Sequence, residues 1–233
     1  MLNFANFKLL SFDCYGTLID WETGIFSVLH PMLAAHGKTM PDAKLLELYG
    51  ELEADAESGD YWPYRDVLQS VVEAIGQRLG FAPSESEIRA LPNSIANWQP
   101  FADTVESLRR LTTRYQLAIL SNIDDDIIAL TAPKLGITFD YVITAQQARC
   151  YKPCRKLFQI AAQRCGVAPA EWLHIGQSIY HDVLPAQSFG ISTVWVNRAS
   201  PRQNVGAVKP AHGTPDLEVP DLKTLADLVL RAG

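Results

Sequence analysis

The chain has 233 residues, 48% of them hydrophobic and 20% charged, which is the balance of an ordinary globular protein and not of a disordered one. With 26 acidic against 20 basic residues, the net charge of −6 argues against a nucleic-acid partner. No apolar run approaches the roughly 20 residues of a membrane helix, and no basic-then-apolar leader opens the chain, so a cytoplasmic protein with no membrane partner is expected.

The first element is an apolar run, Phe7, Leu9, Leu10 and Phe12, which delivers Asp13 into a Gly16-Thr17 turn. Apolar strand, one carboxylate, then a tight turn is how an α/β protein presents a side chain at the carboxyl edge of its sheet. A carboxylate held there can attack carbon or phosphorus, or bind a metal. It can also simply cap the following helix.

From Asp20 to about Asn97 there is no strand-like run. Helix-period segments appear instead, with Ile25, Val28, Leu29, Met32 and Leu33 in one and Val67, Leu68, Val71, Val72, Ile75 and Leu79 in another. Gly37, Pro41, Gly59-Asp60, Pro63, Gly80 and Pro83 break them. Tyr61, Trp62, Tyr64 and Trp98 either pack or line an apolar pocket. Past Trp98-Gln99-Pro100-Phe101, Asp103 is placed to cap a helix running through Leu111.

Strand-like runs then recur at Leu117–Leu120, Tyr141–Ile143, Trp172–Ile175 and Thr193–Val196, separated by helix-period stretches. Strands alternating with helices predict a parallel sheet whose functional residues collect at the strands' C-terminal ends. That edge would gather Asp13, Ser121-Asn122, Lys152 and Asp182. Asp124, Asp125 and Asp126 are expected to complement the positive end of the helix they open. His181 adjoins Asp182 and is left open between surface and site. A Pro/Gly-rich stretch to Pro220 precedes a closing helix, Leu222–Leu230. Cys150 and Cys154 flank Tyr151-Lys152-Pro153 at a spacing unlike C-x-x-C, so all four cysteines are expected to be reduced and structural.

DCYGT at 13–17, LSN at 120–122, YKP at 151–153 and the Gly176–Asp182 segment resemble, in order, the four motifs of the haloacid dehalogenase superfamily. The resemblance implies an α/β fold, a Rossmann-like parallel-sheet core over 1–19 and 98–233 with a helical cap over 20–97 inserted after the first motif. Most members are phosphatases with a second Asp two positions after the nucleophile, where this chain has Tyr15. The DxYGT pattern is similar to that of the L-2-haloacid dehalogenase branch, whose members attack carbon and need no metal or other cofactor. Tyr15, with an ordinary pKa of about 10, is a poor proton donor to a leaving alkoxide. Gln177 likewise replaces a carboxylate that would help hold magnesium.

The same resemblance gives each residue a role. Asp13 would be the nucleophile, Thr17 would orient it and Lys152 would keep it ionised. Asp182, with Ser178 and Gln177 nearby, would place a water. Ser121 and Asn122 would contact the substrate or its leaving group. Cys14 and Tyr15, beside the nucleophile, join the substrate-binding candidates, although Cys14 can equally pack as a small apolar group.

Two departures bear on the substrate. The dehalogenases carry an Arg in the early cap helices that contacts the leaving halide, whereas this chain has the acidic stretch LLELYGELEADAE at 45–57. Arg65 is the nearest cap guanidinium and is expected to take over part of the anchoring. In the fourth motif a Ser-Ser-Asn run is replaced by Gln177, Ser178 and Ile179. Relatives with a similar QSxYHD-type motif include an enzyme that opens the ring of azetidine-2-carboxylate. The expected function is therefore hydrolysis through an aspartyl ester at the carbon next to a carboxylate, with (S)-2-haloacid dehalogenation ahead of C–N ring opening. A small-molecule phosphatase and a non-catalytic binding protein are the remaining alternatives. The expected partner is a small-molecule carboxylate, and a homodimer is an assembly open to the chain.

Overall fold

A computed structural model of the chain describes residues 2–231. Its centre is a six-stranded sheet in the order β3-β2-β1-β4-β5-β6, with every neighbouring pair parallel. The strands are β1 (Leu9–Phe12), β2 (Gln116–Ser121), β3 (Tyr141–Thr144), β4 (Trp172–Gly176), β5 (Ser192–Val196) and β6 (Leu217–Val219). The four strands expected after β1 from apolar runs all form; β6 comes from the irregular Pro/Gly-rich stretch. Parallel strands buried on both faces need apolar residues on both, and β1 meets that demand. Leu10 and Phe12 join one core with α5 (Thr104–Leu111) and α10 (Leu222–Arg231), while Leu9 joins another with α8 (Lys156–Cys165).

Between β1 and α5 lie four helices, α1 (Trp21–Ala35), α2 (Asp42–Ala56), α3 (Tyr64–Leu79) and α4 (Glu85–Ser94). Each gap falls where the sequence places its Gly and Pro breakers, and Ser84 and Glu87 form a reciprocal capping box at the start of α4. The two chain crossings into this helical layer run side by side, with Ile19 bridged to Pro100 and Asp20 N–H donating to Gln99 O at 2.9 Å. The short helices α6 (Asp125–Thr131), α7 (Ala145–Ala148) and α9 (Leu184–Gln187) complete the connections. No helix among the described residues is long and apolar enough to cross a membrane.

Three expectations need correction. Cys150 and Cys154 form a disulfide, leaving Cys14 and Cys165 free. The turn through Tyr151-Lys152-Pro153 brings their Cα atoms to 6.3 Å, within bridging range, which residue spacing alone does not reveal. Asp103 does not cap its own helix with its side chain. Its carboxylate accepts from Arg198 at 3.0 and 3.2 Å and from Leu222 N–H at 2.6 Å, so it caps α10 instead. Asp124 also serves a helix other than its own. It accepts Tyr64 and Arg65 N–H, each at 3.0 Å, and so caps α3 across the gap between the two layers.

Candidate active site

Four strand ends deliver the central cluster. Asp13 follows β1, and its Oδ1 accepts from Lys152 Nζ at 2.9 Å while its Oδ2 accepts from Thr17 Oγ1 at 2.9 Å. Gly16 makes this turn possible: its φ is +94°, and a Cβ there would lie 2.9 Å from the Trp21 indole nitrogen. Lys152 comes from the loop after β3, held by Asn122 at the end of β2. Asn122 Oδ1 accepts Lys152 N–H at 2.6 Å and its Nδ2 donates to Lys152 O at 3.2 Å. The Lys152 side chain is 1% exposed, and its ammonium is spent on Asp13, on Leu120 O at 3.0 Å and on Asp182 Oδ1 at 2.6 Å.

Asp182 sits in a single wide helical turn, Ile179–Val183, that folds back under β4. Only glycine at 176 admits it, because a Cβ there would lie 2.4 Å from the Asp182 carboxyl carbon. Its Oδ2 accepts Ser178 N–H at 3.2 Å and its Oδ1 lies 3.3 Å from His174 Nε2.

The electrostatics divide the two aspartates. Burial, reinforced by nearby Asp182, outweighs the pull of Lys152 and Thr17 and raises Asp13 to about 6. Burial would also raise Asp182, but Lys152 and His174 outweigh it and hold that carboxyl well below the usual range. Lys152 would be lowered by burial, yet the two carboxylates win and keep it firmly protonated. The cluster is thus an ammonium clamped between one aspartate that stays ionised and one that titrates within reach of neutrality.

The cavity above Asp13 is small, about 40 Å³, room for about three water molecules. Tyr15, Ser121, Asn122, Gln177, Ser178 and Asp182 line it with Asp13 and Lys152, as does His181, whose place the sequence left open. Tyr64 and Trp21 supply aromatic wall. Two candidates lie elsewhere. Cys14 is fully buried and packs into the core. Arg65 is not among the lining residues. Its side chain is 36% exposed, and its guanidinium is held by Asp126 at 2.9 Å. The reason is the α3 cap: Asp124 fixes the Arg65 backbone, and the side chain then runs along the outer face of α6.

Sequence reasoning missed Glu53 and Glu57, which reach the cavity from α2 and the residue after it. Their signal was readable: Leu45, Tyr49, Glu53 and Glu57 recur at i+4, so the acids continue a buried stripe. Ser11 and His174 were missed too, as polar residues inside central strands that should read as continuously apolar. Trp172 Nε1–H donates to Ser11 Oγ at 2.7 Å, and Ser11 Oγ lies 2.7 Å from His174 Nδ1.

A family model described as haloacid dehalogenase-like hydrolase matches residues 7–190. The chain is 29% identical to (S)-2-haloacid dehalogenase H-109 of Pseudomonas putida, over 94% of this chain and 96% of that protein. It is also 29% identical to the (S)-2-haloacid dehalogenase of Xanthobacter autotrophicus, over 83% of this chain and 76% of the other. The solved structure of L-2-haloacid dehalogenase from Xanthobacter autotrophicus matches with a TM-score of 0.80 at 23% identity, covering 96% of this chain and 98% of that one. The same enzyme with chloropropionic acid covalently bound matches equally well, at 22% identity.

Proposed function

Because the chain belongs to the haloacid dehalogenase-like hydrolases, we propose that it displaces a leaving group from the carbon next to a carboxylate through an ester on Asp13. The proposed reaction is dehalogenation of an (S)-2-haloacid to the 2-hydroxy acid, the activity named for the relatives above. The observation that carries the reading is the clamp on Asp13: one carboxylate oxygen on a buried ammonium, the other on a buried hydroxyl, both at 2.9 Å.

In the first step an Asp13 oxygen bonds to the substrate carbon from the side opposite the carbon–halogen bond. That bond breaks, the halide leaves with its electron pair, and the centre inverts. In the second, water attacks the Asp13 carbonyl carbon and the ester bond breaks; one water hydrogen goes to the departing alkoxide to give the hydroxy acid, the other is released to solvent as a proton, and the water oxygen stays on Asp13. Dividing one difficult substitution into two feasible ones is the gain of covalent catalysis. Lys152 keeps Asp13 anionic before attack and balances the oxyanion in the second step. Asp182, held low, is a weak proton acceptor; its part is to fix Lys152 and, with Ser178 and Gln177, to orient the water. Ser121 and Asn122 take the substrate, and helices α1–α4 act as a cap that keeps bulk solvent from the ester. Tyr15 and Gln177, standing where phosphatase carboxylates would be, favour a route without metal.

The test is single-turnover reaction with (S)-2-chloropropionate in heavy-oxygen water. Label on the Asp13 carboxylate, with chloride release that survives EDTA, is expected. Label found only in the product would replace the ester by direct attack of water. Asp13→Asn should lower turnover by several orders of magnitude with folding intact.

A further inference from the structure

We propose that Cys150 and Cys154 form a thiol–disulfide exchange site, through which a low-molecular-weight thiol and its disulfide set how firmly Lys152 holds Asp13. The bridge is closed in the structure that carries the complete clamp, which makes the oxidised form the competent one and the reduced form the attenuated one. What Lys152 does for catalysis rests on the aspartyl-ester reading; the exchange site itself does not.

The geometry ties the bridge to the clamp. It closes a short ring, Cys150-Tyr151-Lys152-Pro153-Cys154, with Lys152 at its centre. Tyr151 in the same ring donates from its OH to Trp62 O at 2.7 Å, and its ring centroid lies 5.2 Å from that of Tyr61. The segment between α2 and α3 therefore rests on this ring. The chain enters it through Arg149, whose φ is +56°. An arginine keeps that left-handed conformation only where its surroundings impose it, and the bridge one residue on is such a constraint. Without the bridge Lys152 keeps its bonds to Asn122 and the aspartates but loses the covalent closure. The loop then gains conformational freedom, and the ammonium stands in place for a smaller share of the time.

A separate observation concerns reactivity. Cys150 and Cys154 are both partly exposed, and Pro153 and Arg155 beside Cys154 are exposed, so a dissolved thiol can reach the bridge. Cys154 Sγ accepts the Lys156 N–H at 3.4 Å, at the first turn of α8. A helix N-terminus favours sulfur as thiolate, which makes Cys154 the better leaving group of the two. An incoming thiolate bonds to Cys150 Sγ, the bridge breaks, and Cys154 leaves with the electron pair and takes up a proton. A second thiolate then attacks the incoming sulfur, freeing the Cys150 thiolate and the small-molecule disulfide. Two thiols are oxidised and one bridge is reduced; the reverse sequence re-forms it. The other cysteines are poor competitors. Cys14 is fully buried, and burial pushes the Cys165 thiol up to about 11.

The test equilibrates the full chain in glutathione buffers of graded thiol-to-disulfide ratio and reads each cysteine by alkylation and mass spectrometry. One signal needs no substrate: amide hydrogen exchange at Lys152, whose N–H is bonded to Asn122, should quicken on reduction. The other is kcat/KM for (S)-2-chloropropionate. Lys152 pulls the Asp13 pKa down against burial, so reduction should move the pH midpoint up. A rise of about one unit lowers kcat/KM about tenfold on the acid side. Re-oxidation of the same sample should restore both signals. Cys150→Ser/Cys154→Ser should give the reduced values in every buffer, whereas Cys165→Ser should follow the wild type. A bridge that stays open or closed across the whole series, hydrogen exchange indifferent to its state, or kcat/KM equal in the two forms would overturn the proposal. No chloride release from either form, with hydrogen exchange responding as expected, would discard dehalogenation and retain the exchange site.

Discussion

Thr17 has two partners, and together they decide where its proton points. Gln177 N–H donates to Thr17 Oγ1 at 2.9 Å, so the hydroxyl hydrogen is free to go to Asp13 Oδ2. That bond favours ionised Asp13 against the burial that raises it to about 6. Attack requires the anion, so kcat/KM should rise with pH through a midpoint near 6, read from initial rates between pH 4 and 8. Thr17→Val keeps the shape and removes the donor, which should move that midpoint upward and slow turnover about tenfold. A midpoint that stays put would reduce Thr17 to packing. The same reasoning fixes a tautomer. Trp172 occupies a lone pair of Ser11 Oγ, Ser11 therefore donates to His174 Nδ1, and His174 is left with its hydrogen on Nε2, facing Asp182. Burial lowers the His174 pKa, in keeping with a neutral ring. His174→Phe should cut kcat by roughly 10- to 100-fold with little change in KM, since a hydrogen bond to a charged group is worth about 1.5–3 kcal/mol. An unchanged kcat would assign the chain of bonds to core packing alone.

At the scale of elements, the joint between the helical layer and the sheet depends on a cap that crosses it. Pro63 precedes α3 and has no side-chain donor or acceptor to close the helix end. Asp124, at the start of α6, supplies the acceptor instead, and Tyr61 OH adds a third bond at 3.2 Å. Asp124→Ala should cost about 1 kcal/mol, a fall of about 2–4 °C in Tm for a chain of this size. Because Tyr64 stands on that first turn and lines the cavity, KM should rise as well. An unaltered melting curve would mean water replaces the carboxylate. Such caps explain what was and was not legible in the sequence. Strands and helices are local patterns, so their positions, and with them the convergence of Asp13, Asn122, Lys152 and Asp182, followed from period and turn chemistry. Asp103 and Asp124 look like ordinary N-caps because the helices they serve, α10 and α3, are distant in sequence. Arg65 was expected at the substrate for the same reason: its charge is visible in the sequence, but the direction that Asp124 and Asp126 impose on it is not. For Glu53 and Glu57 the i+4 continuation of Leu45 and Tyr49 marks a buried stripe, but what that stripe faces is set only once the helical layer closes over the strand ends.

For the molecule as a whole, the buried acids make stability depend on pH in a direction that can be derived. Asp13 moves from an ordinary 3.8 to about 6 and Glu53 from 4.5 to about 7, while Glu57 is raised too, each chiefly by burial. Between the unfolded and folded values the native state binds more protons than the unfolded chain, so stability falls as pH rises. For Asp13 and Glu53 the contribution is fully present below about 4 and is lost as the pH passes through about 6 to 7, and Glu57 acts in the same direction. Asp182, held low, acts oppositely and withdraws its stabilisation only in strong acid, below the ordinary carboxylate range. The unliganded protein should therefore melt at a higher temperature at pH 5.5 than at pH 8. Replacing Glu53 and Glu57 by Gln removes two of the titrating groups and should flatten that slope without abolishing it, since Asp13 remains. A wild-type slope of the opposite sign, or one that the double variant leaves unchanged, would mean that both glutamates are ionised across the whole range in the folded protein as in the unfolded chain.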